Sequence, residues 1–106
     1  MERSIDEFLG ECQHILDQAA VAEGEAMRLE KAEKAVFSLL VTSMDGPVSK
    51  AEHAARCHEK FLAASEEATT ARIACGLAKA KAELARMRWE TWRTRAANRR
   101  AEMNLK

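Results

Sequence analysis

One short segment, Ser43-Met44-Asp45-Gly46-Pro47-Val48-Ser49, is the strongest break in this sequence. Asp-Gly-Pro stops a helix and turns the chain, because Gly takes positive φ cheaply and Pro has no amide hydrogen to donate. The chain has one Pro and four Gly in 106 residues. So few breakers exclude a sandwich or barrel, which needs many turns. Ala together with Glu, Lys and Arg on both sides of the break predicts long helices instead.

Helix 1 is predicted over about 4–43, with Ser4 as N-cap and Glu7 completing a capping box. Helix 2 is predicted over about 50–103, with Ser49 as N-cap and Glu52 in the matching place. The turn then occupies about 44–48, within one helical domain spanning 1–106. Gly10, Gly24 and Gly76 fall inside the helical patterns, and Gly24 is the place where helix 1 is expected to break if it breaks.

The apolar spacing fixes the faces. In helix 1, Phe8, Cys12, Ile15, Ala19, Ala22, Ala26, Leu29, Val36 and Leu40 advance by fours and threes, with Glu33 the one polar member. In helix 2 the series is Ala54, Cys57, Phe61, Ala64, Ala68, Ala71, Cys75, Ala78, Ala82, Ala85, Trp89, Trp92 and Ala96. A heptad seam of this kind implies a left-handed coiled coil, and Ala along it lets helices approach closely. A short connection makes the helices antiparallel neighbours. With the bend near Gly46, position i faces roughly position 92 − i, which places Phe37 near Cys57 and Phe61, and Cys12 near Cys75. The fold expected is an all-α, Ala-rich antiparallel helical hairpin. A break at Gly24 would give a three-helix bundle instead.

A second set of apolar residues lies off the seam: Leu9, Leu16, Val21, Leu39, Leu62, Ile73, Leu77, Leu84 and Met87. Two isolated helices would leave this stripe wet, so the hairpin is expected to associate with copies of itself into a multi-helix bundle.

Charge is uneven along the chain. Residues 1–47 carry ten acids and four bases, whereas 48–106 carry seven acids and 13 bases. Glu2, Asp6, Glu7 and Glu11 are expected beside Arg86, Arg88, Arg93 and Arg95, leaving Arg99, Arg100 and Lys106 beyond the acidic strip. Basic residues interleaved with Trp89 and Trp92 are a pattern that binds single-stranded nucleic acid, Arg on phosphate and an aromatic face on a base. Arg93, Arg95, Arg99 and Arg100 are the candidate contacts to nucleic acid or to an acidic protein surface. Trp89 and Trp92 are candidate aromatic anchors, and they also sit where they would close the end of the seam against Ile5 and Phe8.

Other constellations point away from chemistry. His53, Cys57 and His58 could ligate a metal, but a tetrahedral site needs two more ligands, and Lys34 to Leu39 opposite supply none. Cys12 and Cys75 read as small seam residues, and Glu66-Glu67 as a solvated face. No Ser/His/Asp arrangement and no Gly-rich phosphate loop is present, so no catalytic, cofactor or metal site is expected and the chain reads as a non-enzyme. No apolar run reaches the roughly 18–20 residues of a membrane span, and the first residues lack a signal-peptide layout. With three scattered Cys, the expectation is a reducing cytoplasm and no membrane partner.

The stretch Trp89-Glu90-Thr91-Trp92-Arg93-Thr94-Arg95-Ala96-Ala97-Asn98-Arg99-Arg100-Ala101-Glu102-Met103 resembles the ends of small, uncharacterised helical proteins of tailed phages and prophages. The resemblance covers residues 85–103, about 20 of 106. It implies a phage or bacterial origin and a role near DNA processing, and it carries no functional residue with it. Three readings stand: a self-assembling coiled-coil interaction protein, a nucleic-acid-binding accessory, and a scaffolding or secretion-type adaptor.

Overall fold

The computed structural model describes residues 4–105. They form an all-α helical hairpin of α1 (Ile5–Ser43), α2 (Val48–Cys57) and α3 (Glu59–Leu105), with no strand among them. Glu2 and Lys106, both in the charge comparison above, lie outside the described residues.

Helix α1 starts as its capping residues dictate. The Glu7 amide donates to the Ser4 hydroxyl at 3.2 Å, and the Phe8 amide donates to the Ser4 carbonyl. It then runs unbroken through Gly10 and Gly24, so the three-helix alternative does not form. Helical geometry holds because one glycine costs only about 1 kcal/mol against Ala, less than the seam on either side supplies. The reversal follows at Gly46, whose φ of 103° is open to glycine at little cost.

The second half departs from expectation in two ways. Helix α2 begins two residues earlier than the Ser49 cap allows. Pro47 is its N-cap, and the Ala51 amide donates to the Pro47 carbonyl, with no side-chain cap. Proline's fixed φ suits this boundary, and Ser49 falls inside the first turn. More consequentially, the predicted 50–103 helix is two helices. His58 is extended (φ −73°, ψ 138°) and separates α2 from α3. Its carbonyl accepts the Leu62 amide at 3.0 Å, and its Nδ1 accepts the Lys60 amide at 3.1 Å. A side-chain acceptor on the second helical amide is an N-cap, here supplied by histidine rather than Ser or Asp.

The chain forms two compact units, Met1–Ala20 with Leu77–Lys106, and Val21–Gly76. In the Val21–Gly76 unit, Ala26, Ala71 and Cys75 form the buried centre, with Ala22 and Leu29 packed against it. Phe37 meets Phe61 at 5.5 Å between centroids, and the Arg56 guanidinium lies 5.5 Å from the Phe37 ring. Arg72 bridges Glu30 at 2.9 Å and Glu33 at 3.6 Å. Glu33, the polar member of the seam, is thus half-buried against a cation, with its inner oxygen making an ion pair but no hydrogen bond. On the surface, a double contact from Arg28 holds the Glu25 carboxyl below the ordinary carboxylate range.

In the unit of the two termini, Phe8 stacks on Trp89, and the Cys12 thiol approaches the Ala85 carbonyl at 4.0 Å. Phe8 with Trp89, and Phe37 with Phe61, set the pairing at about 97–98 − i, not 92 − i. The reversal is centred later because the first turn of α2 belongs to it. Cys12 therefore meets Ala85 and not Cys75, and the three cysteines are free.

What is inside is small. The buried residues are Ala26, Ala51, Ala55, Ala68, Ala71, Cys75, Ala82 and Ala85, and no large side chain is fully buried among the described residues. What is outside is large: Leu9, Val21, Leu39, Leu62, Ile73, Leu77, Leu84 and Met87 are all exposed. Leu16 alone of the second stripe is half-buried.

Candidate functional site

The C-terminal half of α3 carries the basic residues, and helical spacing sorts them by face. Arg88, Trp92, Arg95 and Arg99 recur at intervals of four, three and four, which keeps them on one side of the helix. Phe8, Leu84, Met87 and Thr91 complete the walls of an open groove of about 470 Å³ around these four. No acidic side chain lines it. Among the described residues Arg88, Arg95 and Arg99 form no ion pair, and all three are exposed.

The other arginines turn elsewhere. Arg93 pairs with Glu90 at 3.5 Å and Arg86 with Glu83 at 3.7 Å, both one turn away on α3 itself. The acidic neighbours expected on helix 1 are therefore not the carboxylates they pair with, since an i, i+3 carboxylate on the same helix is always within reach. Arg100 donates to the Ala96 carbonyl at 3.5 Å. Of the four arginines picked out in the sequence, the groove brings together Arg95 and Arg99, while Arg93 and Arg100 lie outside its lining. Arg88 is the addition, and its 4-3-4 spacing with Trp92, Arg95 and Arg99 was the signal that finds it.

The aromatic residues form a ladder. Phe8 and Trp89 are 6.1 Å apart at 23°, and Trp89 and Trp92 are 5.2 Å apart at 10°. Trp89 is half-buried in the middle and holds the end of α1 against α3. Trp92 is the outermost ring and stays 39% exposed. By the observed pairing, Ile5 lies opposite about residue 92, so Arg95 and Arg99 sit on the part of α3 that continues past the start of α1.

The other candidate constellations stay apart. No group of three or more His, Cys, Asp or Glu suited to a metal ion exists among the described residues. Cys57 is exposed and off the seam. Ala51 and Ala55 are buried in its stead, because the non-helical His58 shifts the phase of α2 against α3. No helix is long and apolar enough to cross a membrane among the described residues. Comparison with known protein families, with characterised proteins and with solved structures found no match.

Proposed function

We propose that this chain is a non-enzymatic helical interaction protein that assembles with copies of itself and presents the basic end of α3. The observation that carries this reading is the inversion of size across its surface. Seven alanines and one cysteine are buried, while Leu77, Leu84 and Met87 stand outside at 63%, 51% and 58% exposure. A buried alanine methyl contributes about 0.8 kcal/mol or less, whereas covering a Leu or Met contributes about 1.5–3 kcal/mol. Covering these side chains in an assembly adds apolar free energy that the helix pair alone does not draw.

Leu77, Leu84 and Met87 lie seven and three residues apart on α3, the spacing of a second coiled-coil seam. Charge favours a second copy as the occupant. Residues 1–47 carry six more acids than bases, and 48–106 six more bases than acids. Two copies that set one chain's α3 beside the other's α1 match opposite signs, and the net charge of zero puts no repulsion in the way.

Sedimentation equilibrium at tens of micromolar tests this. The expected result is a discrete mass at a multiple of 11.8 kDa, reduced to the monomer by the double change Leu77→Glu and Leu84→Glu with helicity retained. A wild-type monomer at that concentration would sink the proposal.

A further inference from the structure

The groove at the end of α3 goes beyond self-assembly, because its chemistry suits a ligand that is at once flat and anionic. We infer that Trp92, Arg95 and Arg99, with Arg88, bind a short segment of single-stranded nucleic acid.

Three observations converge. The ring ladder of Phe8, Trp89 and Trp92 ends on a residue that stays 39% exposed. A fourth flat ring continues such a ladder, and a nucleobase is a flat ring on every nucleotide. Next, the three arginines that share the groove with Trp92 make no ion pair among the described residues, and Arg100, outside it, makes only a bond to the Ala96 carbonyl. Arg86 and Arg93, on other faces of the same helix, are neutralised by Glu83 and Glu90. Arg88, Arg95 and Arg99 line a groove without any acid. Finally, the spacing runs along a strand. Arg95 and Arg99 are about 6 Å apart along the helix axis, and Arg88 lies about 10.5 Å before Arg95. A strand laid along α3 sets one base on Trp92 and its neighbouring phosphates on Arg95 and Arg99 to one side and Arg88 to the other.

An acidic protein segment would satisfy the same arginines but has no use for the ring ladder. A duplex keeps its bases stacked on one another and offers no free face. The ladder therefore favours the single strand. The inference does not rest on the self-assembly reading, because Arg95 and Arg99 lie beyond Leu77 and Leu84 on α3 and can be changed without touching them.

The test is titration of the full chain with a 12-nucleotide oligothymidylate, read by tryptophan emission and by anisotropy of an end label. Emission is expected to quench as the base stacks on Trp92. With three phosphates neutralised, the slope of log affinity against log salt should be about −2. Arg95→Ala with Arg99→Ala should cut affinity at least tenfold and flatten that slope to about −0.7. Trp92→Leu should cost about tenfold and abolish the quench, while Trp92→Phe keeps most of the affinity. The inference is overturned if the oligonucleotide fails to bind at 50 mM salt, or if Trp92→Leu binds as well as wild type. It is equally overturned if a polyglutamate of matched charge or a DNA duplex binds as tightly, the first marking an acidic-protein site and the second a charge-only surface. The oligonucleotide test changes only Trp92, Arg95 and Arg99 and leaves in place Leu84, the groove wall that the oligomer test changes, so the two proposals fail separately.

Discussion

His58 does at one position what the chain elsewhere needs several residues to do. Its extended backbone ends α2, its carbonyl receives the Leu62 amide, and its Nδ1 receives the Lys60 amide. Replacing a side-chain cap with Ala costs about 1 kcal/mol. His58→Ala is therefore expected to lower stability by about that much in urea unfolding, and His58→Asn to restore most of it. Equal stability of the two variants would show that the Lys60 bond contributes nothing. This residue was not legible in the sequence, because no Gly or Pro stands near it. Histidine is a neutral helix former, and the pattern around it reads as continuous helix. Glu33 was legible in part. The sequence placed it in the apolar series as its one polar member, but the cation that meets it, Arg72, depends on a pairing offset that spacing alone does not fix. Arg93 fell the other way, since its nearest carboxylate was on its own helix, one turn back.

At the scale of the elements, the seam was readable wherever the helix stayed in phase. Every predicted seam position of α1 from Phe8 to Leu40 is buried or half-buried, and so is the α3 series from Phe61 to Trp89. The series fails at Ala54 and Cys57 because one non-helical residue rotates α2 relative to α3, and the buried pair becomes Ala51 and Ala55. Phase is cumulative along a helix, so a single undetected break misplaces every residue on its far side. Helix α1 has no such break. A Cβ added at Gly24 would meet nothing within 4 Å, and its φ lies outside the left-handed region. Gly24→Ala is thus expected to stabilise the protein by about 0.5–1 kcal/mol, from helix propensity alone. A destabilised Gly24→Ala in thermal unfolding would mean that α1 bends there in solution. The basic site divides in the same manner. Trp92, Arg95 and Arg99 were readable as a cationic-aromatic mixture, but sorting them from Arg93 and Arg100 required the helix face and the positions of Glu83 and Glu90.

For the molecule as a whole, the decisive quantity is where the apolar residues lie. A helix pair whose seam is alanine brings its backbones close but removes little area from water per residue. Leu39, Leu62, Ile73, Leu77, Leu84 and Met87, which could remove more, are on the outside. On the self-assembly proposed above, the second layer of the core would come from another copy, and folding and association would be one process. Stability of such a protein depends on its own concentration. For a dimer, a hundredfold rise in protein concentration adds about 2.7 kcal/mol at 25 °C. The most direct measurement is urea unfolding followed by far-UV circular dichroism at 1 µM and at 100 µM. The unfolding midpoint is predicted to move to higher urea at the higher concentration, and the shift to disappear in the Leu77→Glu, Leu84→Glu variant. Superimposable curves for the wild-type protein at the two concentrations would contradict the claim and leave the helix pair standing on its alanine seam alone.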